Sequence, residues 1–224
     1  MIRNQSGNVF VYILIAVGLF GALMFTLSKS ASQGDAAGDL AEGESKIVAG
    51  EIIAYAASAS SALSQMQQTG ATINQIDFML PSDVDFEDAP TIYKLFHPDG
   101  GGLNYKALPS KAIKDDGAGL DAGYYIGRFN NVEWTPTASF DVLFTAYEIK
   151  KNVCTELNKK VAGISTIPTV TGDSLQNLFV YDDLHSGTND NFMEVNCTAC
   201  EEISALCVTD GAENYVFYSI LEAE

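Results

Sequence analysis

At residues 45–70 the chain reads "SKIVAGEIIAYAASASSALSQMQQTG". Its apolar side chains recur at steps of three and four, the spacing that places them on one face of an α-helix: Val48, Ile52, Tyr55, Ala59, Leu63 and Met66. Gly70 follows, and glycine is the residue that most often ends a helix in the left-handed conformation. The pattern predicts an amphipathic helix over 46–69 whose apolar face packs against a globular domain.

The segment before this helix has no apolar periodicity and reads "SASQGDAAGDLAEGES" (30–45). It contains Gly34, Gly38 and Gly43, and each glycine in a helix costs about 1 kcal/mol relative to alanine. We therefore expect an extended or partly unwound joint over 30–45.

Further upstream, "SGNVFVYILIAVGLFGALMFTLSK" (6–29) contains 19 consecutive uncharged residues, Val9–Leu27. A membrane-spanning helix needs about 20 such residues, whereas a secretory signal has an apolar core of about 7–15 and a small-residue cleavage site. The small residues of "SKSAS" (28–32) are compatible with signal cleavage. The length of the run favours a retained helix over 8–29, with Arg3 inside and the remaining chain outside.

The charge of the chain is strongly asymmetric. Arg3 and Lys29 are the charged residues of 1–32, so the remainder carries a net charge of −19, against −17 for the whole chain. Nucleic acids and anionic lipid headgroups repel such a domain, because binding to them requires a basic surface. With 47% apolar and 10% aromatic residues, the composition is that of a folded domain.

All four cysteines lie in the last third of the chain, and an even number after an export-type segment predicts two disulfides. Three pairings are compatible with the sequence. We favour Cys154 with Cys207, which ties a helix to the last hairpin, and Cys197 with Cys200. A zinc site is the alternative because Cys197 and Cys200 form C-x-x-C, but the second ligand pair that such a site requires is missing.

The middle of the chain mixes predicted strand and helix. We predict β structure for "GYYIGRFNNVEW" (123–134) and a second amphipathic helix over Phe140–Val161. Five apolar residues would line one side of that helix: Leu143, Ala146, Ile149, Val153 and Leu157. Four lysines would lie toward its C-terminal half, where the helix dipole favours cations: Lys150, Lys151, Lys159 and Lys160.

The C-terminal third is predicted to be β-rich. "NLFVYDD" (177–183) is interpreted as a short strand, and Asp210-Gly211 lies between "ISALCVT" and "YVFYSILEA" as a hairpin turn. The predicted fold is therefore α+β: a long N-terminal helix, and a globular head over 46–224 with a second helix and a C-terminal antiparallel sheet.

No catalytic pattern emerges from the sequence. His97 precedes Pro98 in a turn and His185 lies in a polar loop, so both are interpreted as surface loop residues, and we expect neither an enzyme nor a cofactor. "HPDGGG" (97–102) lacks the Lys and Ser/Thr of a phosphate-binding P-loop.

Calcium binding is a secondary hypothesis at two acidic loops whose oxygen ligands suit that ion. One loop carries Asp182, Asp183, Asn189 and Asp190, and the other is "KDDGAGLD" (114–121). The alternative is that these carboxylates are simply solvated.

The N-terminus "SGNVFVYILIAVGLFGAL" resembles that of type IV pilins and type II secretion pseudopilins. The resemblance implies a leader over 1–7 that is cleaved between Gly7 and Asn8, methylation of the new terminus, and a homopolymer built by membrane-embedded assembly machinery. It also implies an inner-membrane precursor that becomes an extracellular, adhesive filament on the cell surface. The residues that would form the filament core are Val9, Phe10, Tyr12, Ile13, Leu14, Gly18, Phe20, Gly21, Leu23 and Phe25.

Two positions depart from that family. Pilins usually have Phe or Met first and Glu fifth in the mature chain, whereas this chain has Asn8 and Tyr12. The usual charge pair between that glutamate and a neighbouring amino terminus is therefore absent. Three further stretches are similar to poorly characterised prepilin-like proteins of alphaproteobacteria: "KLFHPDGGGLNY" (94–105), "VCTELNKKVAGI" (153–164) and "YVFYSILEA" (215–223).

Two alternatives to a filament subunit stay open. One is a minor pseudopilin or tip adhesin of a secretion or pilus machine. The other is a periplasmic binding domain anchored by a single helix.

Replacing Gly7 tests the leader. If peptide-bond cleavage follows Gly7, the substitution Gly7→Leu should leave the leader attached, because the added side chain occupies the position next to the cleaved bond. Intact mass of the membrane-derived protein measures the outcome. Unchanged processing and surface exposure of the variant would contradict the pilin interpretation.

Overall fold

The computed structural model of the protein describes residues 35–114, 120–181 and 191–223, with side chains from residue 42 onward. The chain divides into two compact units, Met1–Glu44 and Ser45–Glu224. Both hydrophobic cores lie in the second unit.

The first helix, α1, spans Asp35–Gln68. Its predicted apolar face is buried throughout, from Val48 to Met66, which confirms the amphipathic helix. The helix ends in a Schellman motif, in which the amide of Ala71 donates to the carbonyl of Met66 and the amide of Gly70 to that of Gln67. Gly70 has a φ of +101°, as its predicted role as the helix stop requires.

The expected unwound joint over 30–45 is wrong from Asp35 onward, because α1 already includes Gly38 and Gly43. The physical reason is the cost of starting a helix, which exceeds the cost of continuing one. Once the packed turns after Ser45 have formed, extending the helix backward adds hydrogen bonds that offset about 1 kcal/mol for each glycine.

The chain then forms a four-stranded antiparallel sheet and two shorter helices. The strands are β1 (Gly123–Asn130), β2 (Asp141–Tyr147), β3 (Ala205–Thr209) and β4 (Tyr215–Glu222), in the order β1-β2-β4-β3. The helices are α2 (Lys151–Val161) and α3 (Leu175–Phe179). Four 3₁₀ turns complete the described elements: Ile73–Gln75, Thr91–Tyr93, Glu194–Asn196 and Thr198–Cys200. The fold is α+β, as predicted.

Both faces of this sheet are buried. On one face α1 and α2 cover Tyr124, Phe144 and Phe217, and the Tyr55 ring lies 4.8 Å from that of Tyr124. On the other face the segment that contains α3 covers Leu143, Tyr147 and Tyr218, and Phe179 stacks on Tyr218 with ring centroids 5.2 Å apart. Alternate residues of β2 therefore enter two different cores.

That double burial explains one wrong prediction. Residues 140–161 were predicted as one helix, but 141–147 form β2 and the helix begins at Lys151. Because the helix begins later than predicted, the lysines lie at different positions in it from those predicted. Lys150 and Lys151 are at the start of α2, whereas Lys159 and Lys160 are in its last turn, so only the latter pair benefits from the helix dipole.

The predicted strand over 177–183 is also wrong in its described part, because residues 175–179 form α3; Asp182 and Asp183 lie outside the described residues. Ser174 caps this helix: its Oγ accepts the amide of Asn177 at 3.1 Å. Serine is a preferred N-cap residue, because its side chain accepts an otherwise unpaired amide of the first helical turn. Here the cap outweighs the β propensity of Phe179, Val180 and Tyr181.

The C-terminal hairpin is confirmed, since β3 and β4 pair antiparallel on either side of Asp210-Gly211. Its turn is fastened by Asp210, whose Oδ1 accepts the amides of Ala212 and Asn214. Gly211, with φ of +81°, supplies the left-handed position that the turn requires.

The outer edge of β3 is closed by its own chain. The Asn158 side chain on α2 pairs with both backbone groups of Cys207: its Oδ1 accepts the amide at 2.7 Å and its Nδ2 donates to the carbonyl at 2.9 Å. Further along, the amide of Val170 donates to Thr209, and the amide of Thr209 donates to Pro168. An edge covered in this way cannot pair with another chain.

Removing the Asn158 amide group should destabilise the head. In Asn158→Leu the amide and carbonyl of Cys207 lose their partners inside the core, and each unpaired buried group costs about 1–3 kcal/mol. We expect the free energy of unfolding, measured by denaturant titration, to fall by about 3 kcal/mol. Lys151→Leu is the control, because Lys151 is exposed in the first turn of the same helix. Equal losses in the two variants would contradict the role assigned to Asn158.

Candidate functional site

The residues that the pilin resemblance assigns to processing and to the filament core lie outside the described residues. These are Gly7, Asn8 and the run Val9–Leu27. The second half of the long helix lies within the described residues and is the candidate assembly surface.

The exposed face of α1 carries small side chains at its centre, between the larger exposed residues Ile47 and Glu51 on one side and Gln65 on the other. We define the small-residue face as Ala54, Ala57, Ser58 and Ser61, all of them exposed. Ser58 Oγ donates to the carbonyl of Ala54 and Ser61 Oγ to that of Ala57, both at 2.9 Å. These hydroxyls are therefore satisfied within the helix, so a second surface can approach closely without having to supply partners for them.

Within the described part of the chain, one helix is long and apolar enough to cross a membrane, at Glu42–Gln68. Much of its apolar surface is already used, because Ile52, Ala59 and Leu63 are completely buried in the head.

Two disulfides staple the head, in the pairing that we favoured from the sequence. Cys154 on α2 is joined to Cys207 on β3, with Cα atoms 5.4 Å apart. Cys197 is joined to Cys200, which ends the 3₁₀ turn Thr198–Cys200 that directly follows Cys197. Because all four sulfur atoms are bridged, the thiolates that a zinc site needs are absent.

A buried lysine holds the loop between α1 and β1. The Lys94 side chain is only 4% exposed, and its Nζ donates to the carbonyls of Asp85, Phe86 and Asp88 at 2.5–2.7 Å. It also lies 5.9 Å from the centre of the Phe86 ring. The ammonium thus gathers three backbone oxygens around itself as a small metal ion would. Nothing in the sequence distinguishes Lys94 from a surface lysine.

His97 is also buried, at 7% exposure, so its interpretation as a surface residue is wrong. Nδ1 accepts the amide of Asp99 at 3.1 Å, and Nε2 lies 3.4 Å from the Glu87 carboxylate. These contacts fix the ring within the loop, and its neighbours are two carboxylates rather than a nucleophile. The arrangement stabilises the loop.

The "HPDGGG" glycines serve close packing. A Cβ at Gly100 would overlap the carbonyl oxygen of Lys94, and one at Gly101 would lie 2.5 Å from that of Leu95. The loop therefore needs glycine where its backbone passes residues 94 and 95. Close packing accounts for these residues without a phosphate.

The calcium hypothesis is not tested by the structure. Asp182, Asp183, Asn189, Asp190 and His185 lie outside the described residues, as do residues 115–119 of the other acidic loop. Among the residues that are described, no cluster of three or more His, Cys, Asp or Glu is arranged to hold a metal ion.

The chain was compared with protein-family models, curated proteins and solved structures, and none of them matches it.

The two disulfides should contribute unequally to stability. Loop-closure entropy predicts about 4 kcal/mol for the bridge that joins residues 53 apart and about 2 kcal/mol for the one that joins residues 3 apart. We therefore expect Cys154→Ala/Cys207→Ala to lose about twice as much free energy of unfolding as Cys197→Ala/Cys200→Ala. Denaturant titration of both double variants provides the comparison. An equal or larger loss in the second variant would refute this assignment.

Proposed function

We propose that this chain is a structural subunit of a type IV pilus-like extracellular filament. One observation carries the proposal: α1 buries one face in the head and presents small, internally satisfied side chains on the opposite face. A subunit whose helix packs against copies of itself needs such a face. The resemblance of the N-terminus to pilins supplies the remaining support.

In this proposal the run Val9–Leu27 holds the newly made chain in the inner membrane. Membrane-embedded machinery then transfers it into the filament, where apolar helices contact one another in place of lipid. Lipid tails are as apolar as these side chains, so close packing has to stabilise the assembled state. The small-residue face allows neighbouring helices to approach closely beyond the apolar run as well.

The head would face outward, where its charge has a physical consequence. The head (46–224) has 25 acidic and 10 basic residues, a net charge of −15. Neighbouring heads therefore repel one another, and salt screens charges that are more than about 8–10 Å apart. Filament assembly is therefore expected to be favoured at physiological rather than very low ionic strength. The disulfides suit an oxidising exterior.

A bulky residue on the small-residue face should block assembly. In Ala57→Trp the indole would hold a neighbouring helix away, while the buried face of α1 remains unchanged. We expect few or no filaments by electron microscopy of material sheared from cells. Ala107→Trp is the control, because Ala107 is exposed but lies off the helix; this variant should assemble as the unmodified chain does.

Two further measurements complete the test. Thermal unfolding of both variants shows whether the heads are equally stable, and intact mass of the sheared material shows whether the leader has been removed. Normal filaments from Ala57→Trp would exclude this face as an assembly surface. If the unmodified chain stays in the membrane as single particles, the filament proposal fails and Val9–Leu27 is an anchor only.

A further inference from the structure

A cavity of about 340 Å³ lies between α1, β1 and the loop that follows α1. Its volume is at the lower end of the range for small-molecule pockets. Of the fourteen described residues that line it, eight are aromatic, and five of those are tyrosines: Tyr55, Tyr105, Tyr124, Tyr125 and Tyr181. The assembly surface proposed above does not explain this cavity.

The hydroxyls of three of these tyrosines are already engaged by the protein. Tyr55 donates to the carbonyl of Asn104 at 3.0 Å, Tyr125 donates to that of Asp121 at 2.7 Å, and the hydroxyl of Tyr181 lies 3.5 Å from Gln176 Oε1. What the lining chiefly offers a ligand is therefore aromatic ring surface. The face of an aromatic ring carries partial negative charge and attracts cations.

The charge on the described cavity lining is negative. Asp83 is the one charged residue among the described residues that line it, and it is exposed. Burial raises the pKa of Tyr125 to about 12, and the negative charge of Asp121 adds to this rise. Burial likewise raises the pKa of Tyr124, with smaller contributions from Tyr55 and Glu51.

One cation lies near these rings. Lys106 Nζ is 5.7 Å from the centre of the Tyr55 ring. Lys106 does not line the aromatic cavity but a separate groove that also includes Ser58 and Ser61. The same ring thus borders both spaces, and its contact with Lys106 shows that it accepts a cation.

We propose that the aromatic cavity binds a small organic ammonium ion carried on an apolar body. The apolar body fills the space between the rings, and the ammonium group lies between the ring faces and the Asp83 carboxylate. Neutral and anionic molecules of the same shape bind more weakly, because they lack the attraction to the rings and to the acidic rim.

Three soluble probes of similar size separate charge from shape: 2-phenylethylammonium, 2-phenylethanol and 3-phenylpropanoate. Isothermal titration of the full chain in a neutral maltoside detergent, with detergent alone as the blank, gives their dissociation constants. We expect the ammonium ion to bind about tenfold more tightly than either other probe, within the range of desolvated cation–π contacts. Equal binding of all three, no binding, or a preference for the anion would overturn the proposal.

Matched variants test whether the site is this cavity. Asp83→Asn should weaken ammonium binding about three- to tenfold, and its side-chain oxygen can still accept the amide of Leu80 as Asp83 Oδ2 does at 2.8 Å. Asp88→Asn removes the same charge from the same loop outside the cavity, so its dissociation constant should stay within about twofold of the unmodified chain. Equal effects in both variants would mean that net charge alone attracts the probe, which would refute the site.

Two changes at Tyr125 test the contribution of the ring. Tyr125→Phe keeps the ring face and should bind the ammonium ion as the unmodified chain does. Tyr125→Leu keeps an apolar side chain without the ring and should bind about fivefold more weakly. If Tyr125→Leu binds equally well, or if loss of the hydroxyl is what weakens binding, the aromatic recognition is wrong.

Discussion

The contact between α1 and the sheet, made by Tyr55 with Tyr124 and Phe144, is the constraint on which the rest of the head depends. It buries one face of a sheet whose strands carry apolar residues on both sides. The second face then needs a cover of its own, to which Phe179 of α3 and Phe192, from the stretch that begins at residue 191, contribute. The cavity, the closed edge of β3 and the exposed face of α1 all follow from this arrangement.

The sequence predicted elements whose signals are local. Helix periodicity at 46–69 and the Asp210-Gly211 turn each depend on residues close together in the chain, and both are confirmed. The strand β2 was missed because a strand buried on both faces loses the alternation that identifies strands. Its run "DVLFTAY" (141–147) is buried at every position, and apolar residues at steps of three then imitate a helix.

The candidate sites depend on contacts between distant residues, and these are harder to predict. The small-residue face could be recognised from its Ala and Ser content, although which of these residues point outward required the structure. The burial of Lys94 and His97 follows from closure of the loop around them, and lysine and histidine patterns do not indicate such closure. The aromatic cavity collects residues from Tyr55 to Tyr181, and the density of tyrosines was its one available signal.

The Lys94 ammonium has a consequence for the surroundings in which the head can work. A bound metal ion leaves when its concentration outside the protein falls, whereas an ammonium attached to the backbone cannot be lost by dilution or taken up by a chelator. The three carbonyls around Lys94 therefore keep their hydrogen-bond donor at low as well as at high concentrations of external ions. The loop between α1 and β1 is therefore held by a cationic group that is covalently part of the chain.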